Sequence, residues 1–389
     1  MSLISLPPVR RAVSLHRVGA DRGRRLFGEA FPGHHVHLVS SGTAALALAL
    51  LDARRRHGAS RAEAIIPAYG CPQLVSACLY ASVRPRVVDT ARDSAGRDCW
   101  GYDPERLRAA LSPDTVAIVA VNLLGVGDQV AEMLPLAREA GACLIQDSAQ
   151  HLASVNESDW RGDYVILSFG RGKPLNLLRG GALLVPAGGE FAAPLLQNGA
   201  SMRETLMGSR GAAVAFNAAT HPFLYGLISR LPGLGVGATT YDEFSRLTAL
   251  PSSAWGQAGP ALVEYLQEVP SSPWTAEVIA ECERFGFSLL PCASSTQSLG
   301  TRRLRLALLA DTAERRDAVL LALTRQGLGA SNMYAVSIDR VSGVPEEITR
   351  QGPFPNATSL ANRLLTLPTH SWVTERAVQQ TLACMRALR

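Results

Sequence analysis

The chain has almost no lysine. Its 389 residues hold thirty-eight Lys plus Arg, and all but Lys173 are arginine. A general shift to arginine accounts for a solvated surface, where either cation serves. It does not account for the exception. A guanidinium stays protonated and forms no Schiff base, so a position that keeps lysine is a candidate for amine chemistry. On the count alone, one leftover surface lysine is an equal reading. Aromatics are also scarce, at 6%, and are not interleaved with the basic residues. The net charge of +5 is modest and spread along the chain, and its densest run, Arg54-Arg55-Arg56-His57, reads as the solvated end of a helix. Together these exclude a nucleic-acid surface. The seven cysteines are an odd number with no CxxC pair and no histidine at metal spacing, which excludes a disulfide framework and a zinc site and points to a reducing, cytoplasmic compartment. No run reaches the roughly 18 apolar residues of a membrane span, and the first residues lack the apolar centre of a signal peptide. What is present, 47% hydrophobic and 18% charged residues, is a globular composition with length enough for two or three domains' worth of core.

The apolar run from His35 gives way to Ser40-Ser41-Gly42-Thr43 and then to a long Ala/Leu helix. Ser and Thr cap helices, first-turn amides are unpaired donors, and Gly42 leaves room for an anion, with the Thr43 hydroxyl as a further donor. Taken alone, an ordinary N-cap is the better reading. Strands at 64–69, 86–89, 115–122 and 143–147 then alternate with helices at 72–82, from Pro104, and at 128–140, with a polar loop before Tyr102. Near-continuous apolar strands in such alternation define an α/β fold with a mostly parallel sheet covered on both faces, whose ligands bind beyond the strands' carboxyl ends. Asp147 stands at such an end. Strands at 164–169 and 181–185 hold the loop Ser168-Phe-Gly-Arg-Gly-Lys173 between them. It is not a P-loop, because Leu167 replaces the first glycine and Pro174 the Ser or Thr.

Residues 211–238 are amphipathic, glycine-rich and proline-broken. They suit a core connection, an apolar wall for a ligand or partner, or a membrane-surface contact, and sparse basic residues favour the first two. Beyond about 250 the alternation stops. Helices at 258–268, 274–285, 312–327 and 373–388 mix with a strand at 303–309 and a loop over Pro345–Ala357. The expected division is a large α/β domain with a lead-in segment over 1–245 and a smaller α+β domain over 246–389.

Pyridoxal phosphate (PLP) chemistry needs a lysine, a carboxylate for the pyridine nitrogen, a helix N-terminus with hydroxyls for the phosphate, and a flat group against the ring. Lys173, Asp147, Gly42 and Thr43 with Ser168, and Tyr69 supply candidates for each, all at or just after strand ends. Their joint placement outweighs the separate bland readings. The segments Ser40–Leu46, Ile66–Cys71, Val87–Asp89, Asn122–Gly125, Gln146-Asp-Ser-Ala-Gln150 and Ser168–Lys173 resemble, in order and spacing, the DegT/StrS aminotransferases. Residues 303–309, 327–334 and 365–370 extend the likeness.

The resemblance implies a fold-type-I PLP-dependent transferase, a homodimer with its active site at the subunit interface. It implies transfer of an amino group from an amino acid, glutamate above all, to a keto substrate, a nucleotide-linked keto sugar above all. A non-sugar acyl or natural-product carbonyl is the alternative substrate. A catalytically silent scaffold is the alternative of another class, and the retained lysine argues against it. By motif, Lys173 would carry the cofactor through a Schiff base and shuttle a proton. Asp147 would keep the ring nitrogen protonated, Gln150 would lie near the phenolic oxygen, and Gly42, Thr43 and Ser168 would bind the phosphate. The family's ring-stacking position holds Cys71 here, with Tyr69 as the substitute. Residues 239–244 and Leu178-Arg179-Gly180-Gly181 also depart from the family pattern. Arg171 and Arg179 would bind a carboxylate or phosphate, or else pair with an acidic residue. His151 would face the pocket or serve the structure, His370 would be structural, and Asp89 would orient nearby backbone. No metal is expected.

Overall fold

The structure is a computed structural model. It describes residues 4–58, 62–126, 130–152, 160–189, 191, 197–198, 208–230, 239–268, 272–292 and 303–388. In chain order the strands are β1 (His34–Val39), β2 (Glu63–Pro67), β3 (Arg84–Val88), β4 (Thr90–Arg92), β5 (Asp98–Tyr102), β6 (Thr115–Val121), β7 (Cys143–Asp147), β8 (Tyr164–Ser168), β9 (Gly181–Pro186), β10 (Gln197–Asn198), β11 (Thr248–Ala249), β12 (Phe287–Leu289), β13 (Arg305–Ala310) and β14 (Leu364–Pro368). Nine of them form one sheet in the order β10-β11-β1-β9-β8-β7-β6-β2-β3. The run β8-β7-β6-β2-β3 is parallel, so the carboxyl ends of β6, β7 and β8 share one edge. β9 is antiparallel to both β8 and β1.

The helix Gly42–His57 is buried along nearly its whole length, from Ala44 to Leu50, because it runs under the sheet instead of along its surface. An all-apolar helix of this kind is what a core position requires. Its arginine-rich end is less solvated than its charge suggests. Arg55 and Arg56 fold back onto Asp52, which is buried and also accepts the Tyr164 hydroxyl at 2.6 Å.

Two stretches read as loops are structured. Within 90–101, β4 and β5 make a ribbon that buries Trp100, whose indole N–H donates to the Val121 carbonyl at 3.0 Å. Within Pro345–Ala357, a short helix spans Glu346–Thr349 and another starts at Pro355 and runs to Arg363. The second helix is capped from afar. Asp89 accepts the amides of Asn356 (3.1 Å) and Ala357 (2.8 Å) and also pairs with Arg106. Asp89 therefore orients backbone, as read from sequence, but part of that backbone lies in the distant C-terminal region.

The second sheet, β12-β13-β14, carries the helices Ala276–Arg284, Ala313–Arg325 and Glu375–Ala387. Thr248 and Ala249 belong to the large sheet. The helix Trp255–Gln267 packs on Ala20–Ala30 around Phe27, Phe31 and Trp255. A Cβ on Gly259 would stand 2.6 Å from the Gly23 backbone, so the two helices touch main chain to main chain. On this packing we propose that the domain boundary falls near residue 270 instead of 245. The lead-in, residues 4–19, is an extended strap. The Leu6 amide donates to the Gly327 carbonyl (2.8 Å), Val13 exchanges two bonds with the Asn217 side chain (2.8 and 3.0 Å), and the Val18 amide donates to the Gly256 carbonyl (2.9 Å). The helix Arg210–Ala219 thus backs the strap, with Ala213 against Val13 and Leu178. Residues 231–238 lie outside the described residues. No helix among the described residues is long and apolar enough to cross a membrane.

Candidate active site

The Lys173 loop is fixed at both ends by the sheet. The Phe169 amide donates to the Gly180 carbonyl (2.8 Å), the Gly180 amide to the Ser40 carbonyl (3.0 Å), and the Leu177 amide to the Phe169 carbonyl (2.8 Å). Gly172 sits at φ +70, which lets the chain turn just before the lysine, and the Lys173 amide then donates to the Gly170 carbonyl at 3.3 Å. Leu178 takes φ +65, a conformation that costs a branched residue on the order of 1–2 kcal/mol. Its burial against Val13 and Ala213 offsets that cost.

Asp147 ends β7 and is 9% exposed. Its Oδ1 accepts the Ala149 amide at 2.9 Å, and no ion pair to it occurs among the described residues. Burial pushes its carboxyl up, against the pull of the Ala149 N–H and of Lys173. The turn that follows is braced: Asn122 Nδ2 donates to Ser148 Oγ at 2.7 Å, and the Ser148 amide donates to the Ile166 carbonyl at 2.9 Å. Gln150 accepts the Leu124 amide (3.1 Å) and donates Nε2–H to the Tyr334 hydroxyl (2.8 Å).

Ser41 caps the helix Gly42–His57 by accepting the Ala44 amide at 3.0 Å. Gly42 lies against the Ser168 side chain, where a Cβ would stand 2.8 Å from Ser168 Cβ. The first helical turn, carrying Thr43, is thereby set beside the end of β8.

Cys71 is half-buried and close enough to Lys173, Asp147 and Tyr334 to feel all three; burial pushes its thiol up, with Lys173 opposing. Tyr69 is fully buried. Its hydroxyl donates to the Tyr334 carbonyl (3.1 Å) and accepts the Tyr334 amide (3.3 Å), and its ring meets those of Tyr334 and Trp100 edge-on. The structure thus brings Lys173, Asp147, Gln150 and Cys71 together, and Gly42 and Thr43 beside Ser168. Tyr69 stands behind them as support.

The three weaker candidates separate. Arg171 is exposed. Arg179 is half-buried, packed on Gly208 and within electrostatic reach of Arg17. His151 is held at its amide by the Ser148 carbonyl (3.2 Å), and burial depresses its ring to about 4, so it is neutral at ordinary pH. Its Nδ1 is buried without a partner.

Sequence reasoning missed Tyr334, which the smaller domain inserts between Tyr69, Cys71 and Gln150. Burial pushes its phenol well above the usual range. The one signal available was its place at the end of the Gly327–Tyr334 segment. Also missed was the cavity beside Lys173, about 730 Å³, whose walls include Arg10 and Val13 of the strap, Tyr265, Trp274, Arg303 and His370.

These residues fit PLP. A buried carboxylate without a cationic partner suits a protonated ring nitrogen, and the glycine-lined helix start beside a serine suits a phosphate. The α/β fold and this set of residues are what a PLP-dependent enzyme requires. Residues 25–203 match the sequence model of the DegT/DnrJ/EryC1/StrS aminotransferase family, so this part of the chain is similar to that family. It is 33% identical to Protein MosB of Rhizobium meliloti over 126 residues, which is 32% of this chain and 23% of MosB. It is 30% identical to 3-amino-5-hydroxybenzoate synthase of Amycolatopsis mediterranei over 185 residues, 44% of each. The chain therefore spans less than half the length of these curated relatives. NtdA of Bacillus subtilis, solved with its bound cofactor PMP, has the same fold, with a TM-score of 0.65, 15% identity, and coverage of 96% of this chain and 78% of that one.

Proposed function

We propose that the protein is an aminotransferase that takes an amino group from an amino acid, glutamate or a close relative, and passes it to a nucleotide-linked keto sugar. The observation that carries the reading is the placement of the sequence's single lysine, Lys173, near the buried Asp147 on the wall of a cavity. PLP, when bound, supplies the electron sink that makes the donor's Cα–H bond labile. The chain's residues do the rest. The Lys173 amine takes that proton and returns it. Asp147, unfavourable as a lone buried anion, holds the proton on the ring nitrogen and is stabilised by it. Gln150 and Tyr334 would hold the polar edge of the ring, and Gly42, Thr43 and Ser168 would hold the phosphate. Cys71 lies where relatives place a ring-stacking aromatic, and we assign it contact with the ring face.

A second reading, amination of a carbonyl on a non-sugar ring, is favoured by the likeness to 3-amino-5-hydroxybenzoate synthase. The exposed Val214, Phe223, Leu224 and Leu227 on the two helices of 210–228 support a homodimer. The unpaired cysteines support a reducing cytoplasm. An absorption spectrum of the PLP-reconstituted protein is the test. A visible band that is lost in Lys173→Ala is expected. If the wild type shows no band, or the variant keeps it unchanged, the aminotransferase reading fails and a silent scaffold takes its place. Half-reactions then separate the substrates. Glutamate should bleach the band and a keto-sugar nucleotide should restore it, whereas restoration only by a non-sugar ketone favours the second reading.

A further inference from the structure

The cavity beside Lys173 gathers two arginines and a histidine from three distant parts of the chain. Arg10 comes from the strap, Arg303 from just before β13, and His370 from just after β14; all three line the cavity. Arg305, at the start of β13, lies close by and is more deeply buried.

The arrangement is braced. The Arg10 guanidinium stacks 3.5 Å over the Trp372 ring, and the His370 ring Nε2 lies 2.9 Å from the Pro7 carbonyl, holding the strap in place. Thr369 Oγ1 donates to the Arg303 carbonyl at 2.9 Å, and Arg305 Nη1 donates to Thr366 Oγ1 at 3.0 Å.

The cavity's own carboxylates are occupied. Glu268 pairs with Arg11, and Glu264 accepts the Ser14 hydroxyl at 3.0 Å and faces His16. Among the described residues neither Arg10 nor Arg305 has an ion pair, and the Nε of each is buried without a hydrogen-bond partner. Burial pushes the Arg10 and Arg303 guanidiniums down and Arg305 to about 10. A buried cation without a countercharge, as Arg10 and Arg305 are among the described residues, is costly, and a ligand that supplies the charge offsets that cost.

We propose that Arg10 and Arg303 form an anion-recognition subsite, reinforced by the field of Arg305, for a carboxylate or phosphate group of a substrate that reacts at Lys173. The subsite rests on the aminotransferase reading for the identity of the anion's carrier, not for whether an anion binds. A carboxylate would come from the amino donor, and a phosphate from the acceptor.

The test is a fluorescence titration of the purified, PLP-loaded protein with succinate and, separately, with inorganic phosphate. Trp372 under Arg10 and Trp274 in the cavity wall are the reporters. Saturable binding of one probe is expected, and the preferred probe tells which source the subsite serves. Arg10→Gln and Arg303→Gln should each weaken it about ten- to a hundredfold, the scale of one charge-assisted bond. Arg10→Lys should retain part of the affinity, and Arg386→Gln, on the far-removed Glu281 pair, should change nothing. Should Arg10→Gln fail to fold, Arg303→Gln and Arg10→Lys carry the test. No binding of either probe by the wild type, or wild-type affinity in folded Arg10→Gln and Arg303→Gln, overturns the proposal. The cofactor band recorded on the same samples keeps the two readings apart: its absence sinks the aminotransferase and leaves the titration as it stands.

Discussion

The cofactor floor and the outer wall of the cavity are built by opposite means. The floor is a set of strand ends. Asp147, Ser168 and the Lys173 loop each continue directly from a strand of one sheet, and Gly42 opens the helix that sheet buries. The wall is assembled from Arg10, Tyr265, Arg303 and His370, which lie in segments far apart in the chain and meet only through tertiary packing. A floor fixed by a sheet edge is suited to chemistry that tolerates little movement. A wall of strap and loop is suited to determining which substrate is admitted.

The sharpest test of that contrast is Lys173→Ala. It should lower transamination by at least about 10⁴-fold, as expected when the reacting amine and proton carrier are the same group. The wall variants should instead act mainly through substrate affinity. Asp147→Asn comes next, with a loss of roughly 10²- to 10³-fold in the loaded enzyme. Its effect on the cofactor-free protein should have the opposite sign. Burial raises the folded-state value of Asp147, so its contribution to stability is full at low pH and is lost as pH rises through that value. The asparagine variant should therefore melt higher than wild type at neutral pH, with the difference vanishing below about pH 4, which a calorimetric pH series reads directly.

Gly259→Ala probes the scaffold behind the strap. A Cβ there would lie 2.6 Å from the Gly23 backbone, and overpacking of this kind costs about 1–3 kcal/mol, seen as a lower melting temperature with PLP affinity retained. Equal loss of PLP affinity would erase the distinction between floor and wall. Tyr334→Phe should have a smaller effect. It removes the acceptor of the 2.8 Å bond from Gln150, and should shift the pH dependence of the cofactor's absorption more than its stability. The mildest effect is expected at His151. Its depressed ring favours the fold above the ordinary histidine value near 6.5, and that stability is lost as pH falls toward about 4. His151→Asn should flatten the acid limb of stability between those two values.

The same contrast explains what the sequence disclosed. The α/β alternation, the strand end at Asp147 and the loop of Lys173 were legible because each is a local pattern of apolar periodicity and glycine. Tyr334 was not, since its place at the end of the Gly327–Tyr334 segment does not by itself indicate that it meets Tyr69 and Gln150. The helix at Pro355 was hidden because its cap, Asp89, lies 268 residues earlier than the Ala357 amide it holds. The ribbon 90–102 read as polar because its turn is, although Trp100 within it is buried. The docking of the helix Trp255–Gln267 on residues 20–30 was not legible because the two helices lie far apart in the sequence.

The strap has a consequence for how the molecule comes off the ribosome. The strands that make the cofactor floor are complete by Pro186, so that half of the site can take shape while the second half is still being synthesised. At the outer end of the strap the bonding partners come later in the chain. Leu6 waits for Gly327, and Pro7 for His370, so this end of the strap settles only after the smaller domain is made. A chain stalled before those residues would own a cofactor floor with no selectivity wall over it.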